Sequence, residues 1–581
     1  MSKEFIEKNA GQSGEFLNYL ETSLLKGRIG RRQFIHFSVA AGLSTLAAQA
    51  MGETLDEARA NQDKLASAPA AEYDYIVCGA GSSGCVIAAR LAENPNNKIL
   101  LVEAGDWDTA PSVLNPGVWF TNLGTERDWG DICLPSPAVN NLAIPSTMAR
   151  VVGGGSSINA TIWVRGHKND FEHWADQTGD KAWGYEHSIE IYRRVEDWQG
   201  NMEGQYRGRG GKVWVEPSQN PQPIAPAMVE AAKSLGMPTY EDLNDRRGRE
   251  GKGGFALMNH IIKGGQRRNM AQSYLYPVLA RTNITVMTRT HADRLMMDGA
   301  KAIGVEVVRN DKLCRIKASR EVIVSLGGIR SSKLLMLSGI GDEKELGSVG
   351  IKTLVHAPEV GKNFHDQILH GGCLWQYKAP MAPRNSATEA SGFWRSDLAS
   401  DVPDINPVQI ELPYTSEAVA KQYSPPGTTW ALCAGLVQPR SRGTVKLRSS
   451  NPSDAPIVDP RFLSHPDDVK ILMQGIELCR EIGNAKPLAD LSVREVIPGK
   501  KLELRDLENF ARNGTTTFFH QVGTCRMGKD EKSVVDASLR VRGVANLRVA
   551  DGSVMPRITS CATMSACVYI GERMAEILRA A

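Results

Sequence analysis

Gly79-Ala80-Gly81-Ser82-Ser83-Gly84 is a G-x-G-x-x-G, and glycines at this spacing can do a specific job. In order, they let the backbone turn sharply, approach a pyrophosphate, and let a helix close onto a strand. Glu103 follows Gly84 by 19 residues, near the ~20 at which an acid meets the ribose hydroxyls of a bound dinucleotide. The elements that would hold these groups can be read on either side. Tyr73 to Cys78 is an apolar run with the residue types of a buried parallel strand. A helical pattern from Cys85 to Ala92 stops before Pro95, and Lys98 to Val102 forms a second apolar run delivering Glu103. The N-terminus of that helix would offer free N–H groups and partial positive charge to phosphates. Strand, glycine turn, helix and acid together predict a dinucleotide site rather than a bare turn, and they leave NAD and FAD equally open.

A second glycine cluster lies in Ala149-Arg150-Val151-Val152-Gly153-Gly154-Gly155-Ser156-Ser157-Ile158-Asn159-Ala160. Its amides can point one way, as a nest for phosphate or the edge of a polar ring, although the same composition also suits a flexible turn. It closes an irregular stretch, Asp106 to Met148, rich in Pro, Gly, Trp and Asn, that suits a segment lying over part of a bound cofactor.

The 68 basic and 65 acidic residues nearly cancel, which argues against a nucleic-acid binder or an electrostatic membrane partner. Ten scattered cysteines without a C-x-x-C predict few or no disulfides and no metal site. His291, His356, His365 and His370 lack ligand spacing and read as surface or structural residues.

The N-terminus reads differently from the rest. Gly30-Arg31-Arg32-Gln33-Phe34-Ile35 precedes a short, modestly apolar run and Ala48-Gln49-Ala50, the layout of a twin-arginine export signal with an A-x-A cleavage site. The bland alternative is a disordered basic arm. The run is too short and interrupted for a membrane span. The expectation is a signal peptide over 1–50, a linker over 51–72, and a periplasmic protein exported already folded around its cofactor.

Several separated motifs together resemble the glucose-methanol-choline (GMC) oxidoreductases, flavoproteins that oxidise alcohols with FAD. One family signature is similar to Ala149–Asn159. The other resembles Gly327-Gly328-Ile329-Arg330-Ser331-Ser332-Lys333-Leu334-Leu335-Met336-Leu337-Ser338-Gly339-Ile340-Gly341, with Gly328 where Ala or Ser is more usual. Further similarity covers Val360–Asp366, Arg440–Val445 and His520–Gly571. The resemblance implies an α/β fold (α+β overall): a Rossmann-type FAD domain (73–159, 266–351 and 519–581) interleaved with a substrate domain on an antiparallel sheet (160–265 and 352–518). The runs Ile284–Thr288, Ala302–Val308 and Glu321–Leu326 have strand character.

The resemblance also assigns roles. Gly79, Gly81, Ser82, Ser83, Gly84, Glu103 and Ala104 would hold the ADP half of FAD. Gly153, Gly154, Ser156 and Asn159 would hold the pyrophosphate and ring, the backbone of Ala292 the adenine, and Asp551 and Gly552 the ribityl chain. Ile158 stands where some relatives carry a flavin-linked histidine, so FAD is expected to be non-covalent. His520, between Phe519 and Gln521, reads in isolation as a core histidine; the resemblance makes it the general base, with flavin N5 taking the hydride. The family's second polar residue, Asn or His, falls 44 positions later, at Met564, whose thioether donates no hydrogen bond. Thr563, Ser565 or a water would then hold the substrate oxygen, or Met564 shapes a more apolar pocket, or the usual reaction is lost. The substrate is an alcohol, with Trp375, Trp394, Trp430 and Tyr414 either lining an apolar pocket or sitting in the core. The electron acceptor is oxygen or a quinone or cytochrome carrier. A non-redox lyase of the same fold, cleaving cyanohydrins, is the rival reading.

Overall fold

The computed structural model describes residues 55–201, 206–379, 381–398 and 401–580. The export-signal reading over 1–50 lies outside them. Within the stretch read as a linker, Leu55–Ser67 forms helix α1. Its buried Gln62 donates to the carbonyls of Leu279 and Ile284 and accepts from the Val286 amide. A side-chain amide here extends the hydrogen bonding of a sheet edge, and the polar helix carries little apolar periodicity to reveal that docking.

The first sheet grows from the glycine motif. Strand β1 (Glu72–Cys78) leads through the turn into α2 (Ser82–Leu91), and β2 (Ile99–Val102) lies parallel to β1. Beyond β2 lies β3 (Ile284–Met287), parallel to it. Three longer strands, β4 (Thr290–Asp298), β5 (Lys301–Arg309) and β6 (Lys312–Val324), form an antiparallel meander, and β6 runs parallel to β1. Helix α3 (Gly327–Leu337) follows, and β7 (Leu547–Val549) adds to the far side of β6. The sheet order is β4-β5-β6-β1-β2-β3, and β1 and β2 are buried along nearly their whole lengths. The final helix, α4 (Met564–Ala580), packs across α2 at a point where a Cβ on Gly571 would lie 2.9 Å from Cβ of Val86.

The second sheet has eight strands and is antiparallel. Its main path runs Ser492–Ile497, Leu374–Tyr377, Thr429–Leu436, Ile405–Ile410, Ala390–Phe393 and Gly254–Leu257, and Ile368–His370 joins Thr429–Leu436 to Thr515–Thr517. The architecture is thus mixed α/β, a largely parallel nucleotide-type sheet beside an antiparallel one. The strand Thr515–Thr517 ends three residues before His520. Trp375 and Trp430 stack at 4.8 Å in the core of this second sheet, half-buried Trp394 packs against Phe255, and of the four aromatics only Tyr414 reaches the large cavity.

Candidate active site

One elongated cavity runs from the glycine motif to His520. At one end the backbone geometry explains each glycine. Gly79 has φ +102°, and a Cβ on it would lie 2.4 Å from the Ser325 carbonyl oxygen. A Cβ on Gly84 would lie 1.9 Å from the Gly79 oxygen, so this glycine serves packing and does not line the cavity. Gly81 is different: a Cβ there meets only the Ser325 oxygen at 3.9 Å and would otherwise occupy the cavity. Gly81 caps α2 with no side-chain hydrogen bond, so the first amides of that helix are left for a ligand. The second glycine cluster closes over the first. Gly154 has φ +56°, its Cβ would lie 2.6 Å from Cα of Gly81, and the Gly153 amide donates to the Ala80 carbonyl. Ser156 lines the cavity and donates to the Gly153 carbonyl. Two bare backbone loops back to back, with open space before Gly81 and Gly155, form a cradle that suits a pyrophosphate.

The acids along this cavity are Glu103 and Asp551. Glu103 already accepts from the Ala80 amide (2.9 Å) and the Gly105 amide (2.8 Å), which leaves lone pairs for ribose hydroxyls. Burial pushes its carboxyl up to about 7 despite those two donors. Asp551 accepts from the amides of Gly327 and Ser553 and from the Ser331 hydroxyl; burial raises its carboxyl too. Gly552, Ser82, Ser83 and Ala104 line the same cavity. Ala292, on β4, instead lines a small adjoining recess with Ala104, Trp129 and Arg330. In that recess the Arg330 guanidinium lies over the Trp129 ring at 3.8 Å. Trp119, Leu123, Trp129 and Met148, all from the irregular stretch, wall the cavity as well. The chain's own residues therefore fit FAD: bare amides for phosphates, acceptors for hydroxyls, and an adjoining recess walled by Trp129, Ala292 and Leu334.

His520 sits at the other end. Phe519 adopts φ +65°, a left-handed turn that directs the next side chain away from the strand, and the His520 amide is held by Asp366 Oδ1 at 2.8 Å. The buried Asp366 carboxyl also accepts from the Thr517 hydroxyl, and burial pushes it up to about 7. The Nδ1 atom of His520 lies 2.7 Å from Oε1 of Gln367. The other end of Gln367 fixes the sense of this bond, because its Nε2 donates to the carbonyls of Val437 (2.9 Å), Thr559 (2.8 Å) and Cys561 (3.2 Å). A carbonyl accepts only, so Oε1 must face the histidine and Nδ1 must carry the proton. The imidazole is then the tautomer with an unprotonated Nε2. Burial pushes its pKa down to about 3, so the ring is neutral at physiological pH. Sequence reading missed Gln367; its role depends on three carbonyls 70 to 194 positions away.

Met564 also lines the cavity, at the start of α4. Of its proposed substitutes, Ser565 turns away and donates to the Val164 carbonyl, whereas Thr563 lines the cavity. The Met564 sulfur lies 3.2 Å from Nδ2 of Asn159. Farther from the glycine loops the lining is apolar, with Leu243, Met258, Leu369, Phe393, Val408 and Ile410. Several polar neighbours in that lobe turn their donors into the wall. Ser391 donates to the Pro407 carbonyl, and Asn406 to Ser391 and the Gly392 carbonyl. Thr516 spends its hydroxyl proton on the Leu369 carbonyl, so the Tyr414 hydroxyl donates to Thr516. His365 and His370 bond backbone groups away from the cavity.

The two sheets thus set paired glycine loops and a neutral histidine along one cavity. Family models described as GMC oxidoreductase match residues 73–369 and 439–571, and the chain belongs to that family. It is 33% identical over 536 residues to an alcohol dehydrogenase [acceptor] of Pseudomonas putida, covering 87% of this chain and 95% of that one. Among solved structures it is similar to pyridoxine 4-oxidase from Mesorbium loti, with a TM-score of 0.83, 31% identity, and coverage of 88% of this chain and 99% of that one. It is also similar to a formate oxidase of Aspergillus oryzae RIB40, solved to follow the effect of a mutation on FAD modification, with a TM-score of 0.79, 26% identity, and coverage of 88% and 98%.

Proposed function

We propose that this GMC oxidoreductase oxidises a neutral, largely apolar alcohol to an aldehyde or ketone, with His520 as the base. The observation that carries the reading is the Gln367–His520 hydrogen bond, which leaves Nε2 as the lone-pair atom. A hydroxyl proton passes to Nε2, and the Nδ1–H bond to Oε1 strengthens as the ring gains charge. FAD, held by the glycine loops, Glu103 and Asp551 without a covalent link at Ile158, supplies the hydride acceptor when bound. His520 is half-buried in the cavity wall, and desolvation there disfavours its protonated form.

The substrate class follows from charge. Among the described residues the carboxylates lining the cavity are Glu103 and Asp551, both at the nucleotide end, so a quaternary ammonium alcohol such as choline would meet no described anion in the apolar lobe. An aryl or alkyl alcohol would replace water against Leu369, Val408, Ile410 and Phe393 at a gain of ~25 cal/mol per Å². Export to the periplasm by the twin-arginine route, and delivery of electrons to a quinone or cytochrome, complete the proposal. The Arg31-Arg32 leader supports the first, and the "[acceptor]" relative supports the second. Anaerobic titration of the purified holoenzyme with aryl and alkyl alcohols tests the reading: bleaching of the flavin band supports it, and a flavin that stays oxidised with every alcohol refutes it.

A further inference from the structure

Removing a hydroxyl proton builds negative charge on the substrate oxygen until the carbon gives up its hydride and the carbonyl forms. Preorganised N–H donors are the usual means of stabilising such charge in a dry site. The Met564 thioether has none to offer.

We propose that Asn159 is the donor to the substrate oxygen, set in place by the buried Arg267. Three contacts support this. The Asn159 Oδ1 atom accepts from Arg267 Nη1 at 2.7 Å and from the Thr161 amide at 2.9 Å. Both acceptor directions of that oxygen are thereby engaged, so the amide cannot flip, and its NH2 group must face the cavity beside Met564. One of the two N–H groups meets the Met564 sulfur at 3.2 Å, a weak acceptor that is easily given up. The other is available to an oxygen in the cavity that Asn159, Met564 and His520 line together.

Arg267 explains why this amide is a strong donor. It is fully buried, and its other donors go to the carbonyls of Val113, Ser156 and Asn159. Its direct partners among the described residues are carbonyls and an amide oxygen, with no carboxylate among them. A buried positive charge on Oδ1 polarises the amide and strengthens the N–H at its far end. Arg267 acts through Asn159 and is a positioning residue. Asn159 touches the reacting atom.

The inference rests on His520 as the base, and the test separates the two. The holoenzyme and its variants Asn159→Ala, Asn159→Asp and Thr563→Val are compared in two measurements. The first is the anaerobic rate of flavin reduction by a saturating alcohol. The second is the affinity for benzoate, a stable oxyanion, against benzamide, its neutral counterpart, read from the perturbed flavin spectrum. Asn159→Asp keeps the shape and the Arg267 contact but removes the N–H donor. Either Asn159 variant should slow reduction by about 10²-fold and weaken benzoate binding about tenfold while sparing benzamide. Met564→Asn in the Asn159→Ala background should regain at least tenfold of the lost rate, because an amide donor returns at the place the Asn159 Nδ2 atom now faces. Reduction within about threefold of wild type in both Asn159 variants, failure of that rescue, or a loss confined to Thr563→Val would overturn the proposal. If no alcohol reduces the wild-type flavin, the base assignment falls, and the benzoate comparison still decides whether Asn159 binds an oxyanion.

Discussion

Gln367 Oε1 lies 2.7 Å from Nδ1 of His520, and its own NH2 group is committed to three backbone carbonyls. That arrangement leaves Nε2 as the histidine nitrogen with a free lone pair, the atom proposed as the base. Gln367→Ala should leave Nδ1–H without its partner and let the ring adopt either tautomer or rotate. The expected result is a loss of about tenfold or more in the flavin-reduction rate at unchanged flavin content, measured by anaerobic stopped flow. An unaltered rate would mean that the ring is oriented by something other than this amide.

The pH dependence of the same step carries a sign. Burial lowers the His520 pKa to about 3, so Nε2 stays unprotonated well below the ordinary histidine value near 6.5. The reduction rate should hold its plateau as pH falls from 7 to 5. Half the rate lost near pH 6.5 would contradict the burial argument.

Two glycines of one motif should fail differently. A side chain at Gly81 meets almost nothing of the protein and fills the cavity, whereas one at Gly84 strikes the Gly79 carbonyl. Gly81→Val should purify folded, with a near wild-type apoprotein melting temperature and little bound flavin. Gly84→Ala should destabilise the fold itself, by about 1–3 kcal/mol or more, visible in the denaturant midpoint of the apoprotein. Equal stability of the two variants would contradict this division of labour.

Buried Glu103, held up at about 7, binds a proton in the folded apoprotein at pH values where the unfolded chain has lost it. Its contribution to stability is full below pH ~4 and falls as pH rises through 7. Glu103→Gln should therefore flatten the decline in apoprotein melting temperature between pH 5 and 8. Asp366, also raised to about 7, shares that window, so some slope should persist. An identical slope in the variant would rule out Glu103 as a contributor.

The glycine motif, its strands and Glu103 were legible in the sequence because the relationships are local: a turn, a helix start and an acid one strand away. His520 was legible only through its resemblance to a family block, since the two phenylalanines before it, Phe518 and Phe519, describe a core histidine equally well. Gln367 and the contact between Asn159 and Met564, 405 positions apart, were not legible, because they depend on how the two sheets meet. Trp375 and Trp430 show the converse. Their residue type suited a pocket, but they pair directly across two strands of the second sheet and both are buried in the core. The polar helix Leu55–Ser67 was hidden for a related reason, since one buried glutamine rather than an apolar stripe docks it.

The measurement that bears most directly on the central claim is an anaerobic flavin spectrum of the wild-type holoenzyme and of His520→Ala. Each is mixed in turn with a benzylic alcohol, a medium-chain alkanol and choline. The account predicts that the two neutral alcohols bleach the wild-type flavin band, that choline does not, and that His520→Ala keeps its flavin but bleaches at least ~10²-fold more slowly. Rapid bleaching of the His520→Ala flavin, or bleaching by choline alone, would contradict it.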